Sequence, residues 1–439
     1  MQSEQPKYRI GMTVAACVWL GLFPLLQGGT YTRLTYDKWI IMLILTGFTF
    51  VSFLVDLILR RRVILNEVKD LLLHSFLPLA FAAALLLWSV LSCLFSSYGP
   101  ETWWLGAAAR YEGLLTHICY FLLFACFFFT RVNLKPVQLS AAGGIILFFI
   151  VVFLQRAGGN PLGLYPPGRS YALNPEFQGT IGNIDMGTGY LLLLAGLFLH
   201  GLIGATEDLR AGRKSRPVLS FAFPAVLFLA FAMTLFLIFT MDVQFGAVTL
   251  AVLFLYTFLR FLPKKWRLPL LVFLVILVLL VVWFWPARSG GIWELHEILH
   301  GRGRLSFGSN RVAVWLFSLR LAQENLLLGG GSGTFGSRFN RYLSENNLTI
   351  PKEQDGKPLP DYFDNPHNEY IQQLTDHGIP ALLLFLALLL FAVFRRRCFR
   401  LSSPCSAAVL CYAVQAFFSF SVCLVTPMFW VLLGMSFRE

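Results

Sequence analysis

The chain has 439 residues, of which 57% are hydrophobic and only 13% are charged, and its mean hydropathy is +0.67. Soluble domains carry roughly a quarter charged residues, so this composition excludes an ordinary soluble enzyme and indicates a membrane protein. The formal charge is +12 at pH 7. Most of the basic residues stand in short segments between apolar runs, as membrane orientation alone requires, and we therefore expect no nucleic-acid partner.

Apolar runs long enough to cross a bilayer recur along the whole chain. Backbone amides in lipid must be satisfied within their own segment, so these runs predict an all-α, polytopic membrane protein with about 12 transmembrane helices. The first run has no A-x-A-like cleavage site before "QGGTYTR" and is expected to be retained. The predicted spans are Ile10–Leu26, Trp39–Leu59, Leu71–Phe95, Leu114–Thr130, Val137–Leu154, Ile181–Ala205, Val218–Thr240, Gly246–Leu259, Leu268–Trp285, Pro380–Phe394, Cys405–Val425 and Met428–Phe437.

Alternate loops are strongly basic, with the sequences "RRR", "RVNLK", "RAGRKSR", "RFLPKKWR" and "RRRCFR". The positive-inside bias places these loops and both termini in the cytoplasm of a multi-pass plasma (inner) membrane protein. The extracytoplasmic side then holds "SSYGPETWWLGAAARYEG", "QRAGGNPLGLYPPGRSYALNPEFQ" and a long insertion before the tenth span. We therefore expect residues 1–286 to form transmembrane helices 1–9, residues 287–379 an extracytoplasmic catalytic loop with short helices, and residues 380–439 transmembrane helices 10–12.

The end of the insertion, "DNPHNEYIQQLTDHGIP", combines histidines with a helix-start pattern. Asn365 as N-cap and Pro366 as the first helical residue would place His367 in the first turn, with a stop at Gly378. The helix dipole would keep the imidazole neutral, so that it could accept a proton from a hydroxyl. A histidine that only bonds to its loop is the alternative. Asn368 and Asp376 would orient His367 or bind sugar hydroxyls, or would be ordinary polar residues.

Arginines on the predicted outer side form a second candidate group. In "NRVAVWLFSL" Arg311 would sit near the start of a helix, with Trp315 and Leu319 on the same face, and its guanidinium could grip a phosphate through two hydrogen bonds. An arginine that reaches lipid headgroups is the alternative. Other outer arginines, Arg110, Arg156, Arg169, Arg302 and Arg304, would suit an anionic lipid-linked ligand but could also be scattered by chance.

Other readings of the sequence are weaker. The string "GSGTFG" has no preceding strand, so we expect a tight turn and no dinucleotide site. None of the eight cysteines forms C-x-x-C, which gives no indication of a disulfide framework or a zinc site. The spans show no chain of acids or histidines at mid-depth and no repeat between the two halves, which disfavours a proton-driven transporter or a flippase.

Three blocks together resemble the O-antigen ligase and O-antigen polymerase family of bacterial membrane glycosyltransferases: "GTIGNIDMGTGYLL", "NRVAVW…LLLGGGSGTF" and "PHNEYIQQLTDHGIPALLLFL". The block "GAAARYEGLL" resembles a further one. The resemblance implies transfer of a glycan from undecaprenyl pyrophosphate to a hydroxyl of a glycan or lipid-glycan acceptor on the outer face, without metal or cofactor. It implies that His367 is the base, that Arg311 binds the pyrophosphate and that Asp376 takes the place of the family's glutamate. Arg110, Arg169 and Asn368 complete the expected substrate-binding residues.

The chain departs from the family pattern at three places. Gln178 stands where an arginine often precedes G-T-x-G-N, so Arg169 or Arg156 would have to serve instead. Asp185 replaces the second asparagine, and "VQFGA" lacks another arginine. A ligase that transfers a finished glycan once and a polymerase that joins repeat units both fit the resemblance, and a lipid-linked-oligosaccharide flippase is the distant alternative.

Overall fold

The computed structural model describes residues 9–59, 61–107, 110–211, 217–285, 288–350, 353–354, 357–358, 362–394 and 403–438. Two-residue strands form two short antiparallel hairpins, β1 (Phe177–Gln178) with β2 (Gly182–Asn183) and β3 (Glu353–Gln354) with β4 (Lys357–Pro358). The helices are α1 (Ile10–Cys17), α2 (Leu34–Leu59), α3 (Arg61–Leu94), α4 (Pro100–Trp103), α5 (Leu114–Phe128), α6 (Leu134–Arg156), α7 (Ile184–Arg210), α8 (Pro217–Met241), α9 (Gln244–Phe261), α10 (Lys264–Trp283), α11 (Gly291–Leu299), α12 (Arg311–Ala322), α13 (Phe335–Glu345), α14 (Glu369–Phe394), α15 (Pro404–Gln415) and α16 (Thr426–Ser436).

Within the described residues, eight helices are long and apolar enough to cross a membrane: α2, the Phe76–Leu94 part of α3, α6, α7, the Phe221–Met241 part of α8, α9, α10 and α14. Four shorter apolar helices lie at Ile10–Leu25, Leu114–Phe128, Pro404–Gln415 and Thr426–Ser436. The predicted class, a mostly helical protein with several membrane-spanning helices, is confirmed. The count of twelve spans stays a prediction.

The first apolar helix is irregular at its end. Helix α1 passes into a π-helical turn, Val18–Leu22, and a 3-10 turn, Phe23–Leu25. Pro24 has no N–H to continue the helix, and the carbonyls of Phe23 and Pro24 instead accept hydrogen bonds from the buried Lys38 ammonium at 2.9 and 2.7 Å. Lys38 therefore caps α1 from α2.

Helix α7 forms the centre of the bundle and packs against α8 and α15. Small residues allow this close approach: a Cβ at Gly196 would lie 2.6 Å from the backbone of Ala407 and Ala408 in α15. Glycine and alanine at the contact bring helix backbones together, which is a usual basis of helix association in membranes. Helix α10, by contrast, is almost wholly exposed along its length.

Two predicted boundaries are wrong. Helix α14 begins at Glu369, not at Pro366, and it runs through Gly378 with a kink there (φ 79°, ψ −178°). The predicted eleventh span, Cys405–Val425, ends as a helix at Gln415. Residues 416–425 form turns before α16, although their composition is apolar enough to be mistaken for a span.

One end of the bundle carries the predicted outer segments. The loop before α5 contacts the end of the insertion through Arg110 and Asp364, and the start of α12 meets the start of α7 through Arg311 and Asp185. We call this the site end. The predicted basic loops at Arg60–Arg62, 210–216 and 395–400, and the insertion's first residue Ala287, lie largely outside the described residues.

Candidate functional site

His367 lies at the site end, immediately before the N-cap of α14. Its backbone is left-handed (φ 50°), an uncommon conformation for a residue other than glycine that often marks a functional position. The predicted place in a first helical turn is therefore wrong, since α14 begins at Glu369, three residues after the predicted start at Pro366.

Two hydrogen bonds fix the segment that carries His367. The His367 backbone N–H donates to the Asn365 side-chain oxygen at 2.9 Å, and Trp315 Nε1 of α12 donates to the Pro366 carbonyl at 2.9 Å. The imidazole packs edge-on against Phe420, with ring centroids 5.3 Å apart. Within the described residues, no group forms a hydrogen bond with the imidazole nitrogens of His367, so both nitrogens are available to a substrate.

Arg110 is held by Asp364 in a bidentate ion pair. Its Nε and Nη2 donate to the two carboxylate oxygens at 2.7 and 3.1 Å, and its guanidinium carbon lies 4.2 Å from the centre of the Phe420 ring. Phe420 therefore contacts both Arg110 and His367. Burial alone would raise the pKa of the Asp364 carboxyl, but the charge and hydrogen bonds of Arg110 hold that pKa below its usual range.

Arg311 is the first residue of α12, in agreement with the predicted position near a helix start, and its side chain is held more loosely than that of Arg110. Its Nη2 lies 3.9 Å from a carboxylate oxygen of Asp185, and both side chains are part-exposed, at 28% and 31%. Asp185 stands at the start of α7, where the Asn183 side chain accepts from the Asp185 backbone N–H at 2.8 Å. A distance of 3.9 Å is too long for a hydrogen bond, so Arg311 can turn towards an incoming anion at little cost.

The two arginines act on His367 through their charge. Burial lowers the pKa of the His367 imidazole to about 4, and the positive charges of Arg311 and Arg110 act in the same direction, against the negative charge of Asp364. The imidazole is therefore neutral at pH 7. This was the predicted protonation state, although its cause is burial and two cations and not a helix dipole.

A buried carboxyl, Glu112, lines the same small cavity as the Arg110–Asp364 ion pair. It accepts hydrogen bonds at 2.7 Å from the hydroxyls of Tyr120 and Ser421, and burial raises its pKa to about 7, against those hydrogen bonds and the charge of Arg110. A cavity of about 10 Å³ is lined in part by Arg110, Glu112 and Asp364. Its volume suits about one water molecule.

Asn368 and Asp376 are buried, with exposures of 1% and 2%. Asn368 is the N-cap of α14, because its side-chain oxygen accepts from the Ile371 backbone N–H at 3.1 Å. The backbone carbonyl of Asp376 accepts from the Gly331 N–H at 2.8 Å, which fixes the glycine-rich turn against α14. Neither side chain reaches the exposed part of the site, and contact with substrate stays a prediction for both.

Arg169 stands in a different loop from His367. It is exposed in the loop between α6 and β1, and no side-chain contact links it to the described site residues. Arg156, the last residue of α6, instead donates from Nε to the side-chain oxygen of Gln178 at 2.9 Å. The Arg156 guanidinium therefore contacts Gln178, the position at which the family pattern often has an arginine.

The glycine-rich string "GSGTFG" forms the expected tight turn before α13. Gly331 and Gly333 have positive φ angles of 98° and 68°, and a Cβ at Gly333 would lie 2.6 Å from Gly106 in the loop that leads to Arg110. The turn therefore positions the Arg110 loop. It follows α12 and not a strand.

Three residues at the site were missed by sequence reasoning. Asp364 and Glu112 stand inside motifs that the sequence singles out, next to the residues that were chosen, and their polarity in apolar surroundings was an available signal. Phe420 lies in a run that reads as part of a span and gives no signal. In the described part of the chain, no three His, Cys, Asp or Glu side chains are grouped to hold a metal ion.

Comparison with known families gives a match over part of the chain. Residues 228–386 match the family model described as O-Antigen ligase. This segment includes Arg311, Asp364 and His367, whereas Arg110 and Arg169 lie outside it. The match supports a relationship of this chain to the O-antigen ligase family and implies an O-antigen ligase-like membrane glycosyltransferase. No curated protein matches the chain.

Proposed function

We propose, from the match of residues 228–386 to the O-antigen ligase family, that this membrane protein transfers a glycan from undecaprenyl pyrophosphate to an acceptor hydroxyl on the outer face of the plasma membrane. The observation that carries the proposal is a neutral imidazole, His367, under the influence of two arginines, Arg311 and Arg110. A base beside cations is what this transfer needs, because a hydroxyl must lose a proton while a diphosphate gains charge.

His367 acts as the base in this proposal. Its neutral nitrogen takes the proton from the acceptor hydroxyl, and the oxygen attacks the anomeric carbon of the lipid-linked sugar. The bond between that carbon and the phosphate oxygen breaks, and its electron pair leaves with undecaprenyl pyrophosphate. A single displacement inverts the anomeric centre. The proton on His367 then passes to water.

Arg311 is the first ligand of the pyrophosphate. Its loose contact with Asp185 at 3.9 Å leaves the guanidinium available, whereas Arg110 is already bound by both oxygens of Asp364. Arg110 contributes charge from a fixed place. A bound pyrophosphate would offset both cations and raise the pKa of His367, so that donor binding itself strengthens the base.

The arrangement of residues serves a ligase or a polymerase equally well. Both reactions pass a lipid-linked glycan to a hydroxyl, and they differ in the acceptor. A polymerase that joins repeat units is therefore the alternative within the same chemistry. A flippase has no need of a base beside the two arginines, and it is the more distant alternative.

The test uses the purified full chain in liposomes with an undecaprenyl-pyrophosphate oligosaccharide as donor and candidate acceptors, with product size followed on a gel. We expect His367→Ala to abolish transfer. A ladder of increasing repeats in the wild type would identify a polymerase, and a single larger product a ligase.

His300→Ala is the matched control, because it removes an imidazole of the same insertion that stacks on Trp283. It should transfer as the wild type does. Full turnover by His367→Ala would refute the role of base, and donor that crosses the bilayer without being consumed would favour the flippase.

A further inference from the structure

Arg110 and Arg311 are held in place by different means. Both oxygens of Asp364 bind the Arg110 guanidinium, whereas the Arg311 guanidinium lies 3.9 Å from Asp185, which is too long for a hydrogen bond. A side chain with so loose a partner takes its position from its own backbone. The backbone that leads to Arg311 is the turn of residues 305–310, immediately before α12.

That turn contains three successive residues in the left-handed conformation. The φ angles of Gly308, Ser309 and Asn310 are 62°, 60° and 65°. Glycine adopts this conformation freely, but a residue with a Cβ does so at a cost and usually singly. Surrounding contacts must therefore hold Ser309 and Asn310 in this conformation, and loosening those contacts would change the direction in which α12 begins.

Helix α11 supplies two such contacts at the start of the left-handed run. A carboxylate oxygen of Glu294 accepts a hydrogen bond from the Gly308 backbone N–H at 2.9 Å. The neighbouring Trp293 packs against Phe307, with ring centroids 5.4 Å apart, and Phe307 is buried. The first residue of the run is thus fixed through its N–H, and the residue before it is fixed through its ring.

The same two residues of the turn accept hydrogen bonds from the start of α12. The Arg311 N–H donates to the Gly308 carbonyl at 3.1 Å, and the Val312 N–H donates to the Phe307 carbonyl at 3.3 Å. Gly308 therefore donates to Glu294 and accepts from Arg311. A continuous series of hydrogen bonds runs from the Glu294 carboxylate through one peptide to the backbone of Arg311.

Helix α11 itself lies against two of the apolar helices that are long enough to cross a membrane. His296 Nδ1 donates to the Val282 carbonyl of α10 at 2.9 Å. A Cβ at Gly291 would lie 3.1 Å from the side-chain oxygen of Gln244, the first residue of α9. The contacts with α9 and α10 give Glu294 a fixed place from which to hold the turn.

We propose that Glu294 is a positioning residue for Arg311. Its carboxylate holds the left-handed turn and thereby sets where the Arg311 guanidinium meets the pyrophosphate of the donor. The inference rests on the proposed function, which makes Arg311 the first ligand of that pyrophosphate. In this role Glu294 acts through the backbone and needs no contact with the substrate.

The kinetic test separates donor from acceptor. Transfer by the full chain in liposomes is measured while either the undecaprenyl-pyrophosphate oligosaccharide or the acceptor is varied. Glu294→Ala removes the oxygen that accepts from Gly308, and we expect the KM for the donor to rise about tenfold, as loss of a hydrogen bond to a charged group predicts. The KM for the acceptor should not change. Glu294→Gln keeps a carbonyl oxygen at the same place and should restore the wild-type KM for the donor.

A double-mutant cycle shows whether the effect passes through Arg311. Arg311→Gln should raise the donor KM by itself, and addition of Glu294→Ala to Arg311→Gln should raise it no further. Glu297→Ala is the matched control, because it removes a carboxylate of α11 that binds the exposed guanidinium of Arg302 and not the turn. It should leave both KM values unchanged.

A second measurement needs no turnover. Hydrogen exchange of the full chain in phosphatidylcholine nanodiscs, followed by mass spectrometry, reports how firmly the N–H groups of Gly308, Arg311 and Val312 are held. We expect the peptide that contains them to exchange about tenfold faster in Glu294→Ala, for the same loss of one hydrogen bond. Glu294→Gln and Glu297→Ala should exchange as the wild type does.

Three kinetic results would overturn the inference. They are an unchanged donor KM in Glu294→Ala, an equal rise in the donor and acceptor KM, and a further rise when Glu294→Ala is added to Arg311→Gln. Failure of the proposed function looks different, because then the wild type transfers nothing or Arg311→Gln leaves the donor KM unchanged. Faster exchange in Glu294→Ala would still show that Glu294 holds the turn, whereas unchanged exchange would overturn the inference and leave transfer by His367 untouched.

Discussion

At the scale of single residues, the site depends on one backbone conformation and two cations. The left-handed conformation of His367 places its ring against Phe420, and Arg311 and Arg110 help to keep the imidazole unprotonated. The low pKa that keeps the His367 imidazole neutral also makes it a poor proton acceptor, because a group whose pKa is about 4 is a weak base at pH 7. In the proposed reaction the arginines would stabilise the leaving group and weaken the free base, and a bound anion would reconcile the two effects by offsetting their charge.

The pH dependence of the rate follows from the pKa of His367. The base must be unprotonated, so kcat/KM of the wild type should fall as the pH falls through about 4, the pKa of His367 in the free enzyme. Arg311→Gln removes one of the charges that lower this pKa, and the acid limb should therefore move to higher pH, in addition to an overall loss of rate. Profiles of kcat/KM for both proteins measure the shift. An acid limb that stays in place or moves to lower pH in Arg311→Gln would contradict the assignment.

At the scale of elements, the helices follow the apolar pattern and the breaks follow special residues. The turn after α12 packs against the kink of α14 at Gly378, where the Ile379 N–H donates to the Leu326 carbonyl at 2.8 Å. Trp88 of α3 donates to the carbonyls of Leu327 and His377 at 3.1 Å each. The kink therefore joins α3, α14 and the insertion, and the helical segment from Glu369 to this kink directly follows His367.

Substitution of Gly378 tests this joint. Its φ of 79° suits glycine, and a Cβ would collide with the Leu327 carbonyl. Gly378→Ala should therefore lower the free energy of unfolding by about 1–3 kcal/mol and reduce transfer, as measured by thermal unfolding in detergent and by the liposome assay. Gly143→Ala is the control, because Gly143 lies in α6 with no neighbour within 4 Å of an added Cβ. Equal stability of the two variants would show that the kink bears no strain.

At the scale of the whole molecule, the site is assembled from distant parts of the sequence. Arg110 and Asp364 are separated by 254 positions, and the start of α7 and the start of α12 contribute Asp185 and Arg311. These parts meet at one end of the bundle. The positive-inside pattern predicts that this end faces outwards, where a lipid-linked glycan and its acceptor would meet.

Cysteine labelling tests the orientation. Leu173→Cys places a thiol at the site end, where residue 173 is 65% exposed, and Lys264→Cys places one at the opposite end, at the exposed start of α10. A membrane-impermeant maleimide added to intact cells should label the first variant only, and both after lysis. The unsubstituted protein gives the background from its own cysteines, most of which are buried in the described part of the chain. Labelling of Lys264→Cys alone in intact cells would reverse the proposed orientation.

The sequence by itself determined the membrane class, the positions of nearly all the apolar helices, the start of α12 at Arg311 and the tight glycine turn. These features depend on local composition and periodicity, which can be read from neighbouring residues in the sequence. It also identified His367 and the arginines as candidates, because ionisable residues beside apolar helices are conspicuous.

Only the tertiary structure decided which candidates meet. It paired Arg110 with Asp364, Arg311 with Asp185 and Arg156 with Gln178, left Arg169 apart, and made Asn368 a cap. It also replaced the end of the predicted eleventh span with the turns that carry Phe420. Contacts between side chains of different helices and loops depend on how the helices pack, and burial and nearby charge set a pKa. Neither can be read from a local pattern, because both are properties of the assembled surroundings.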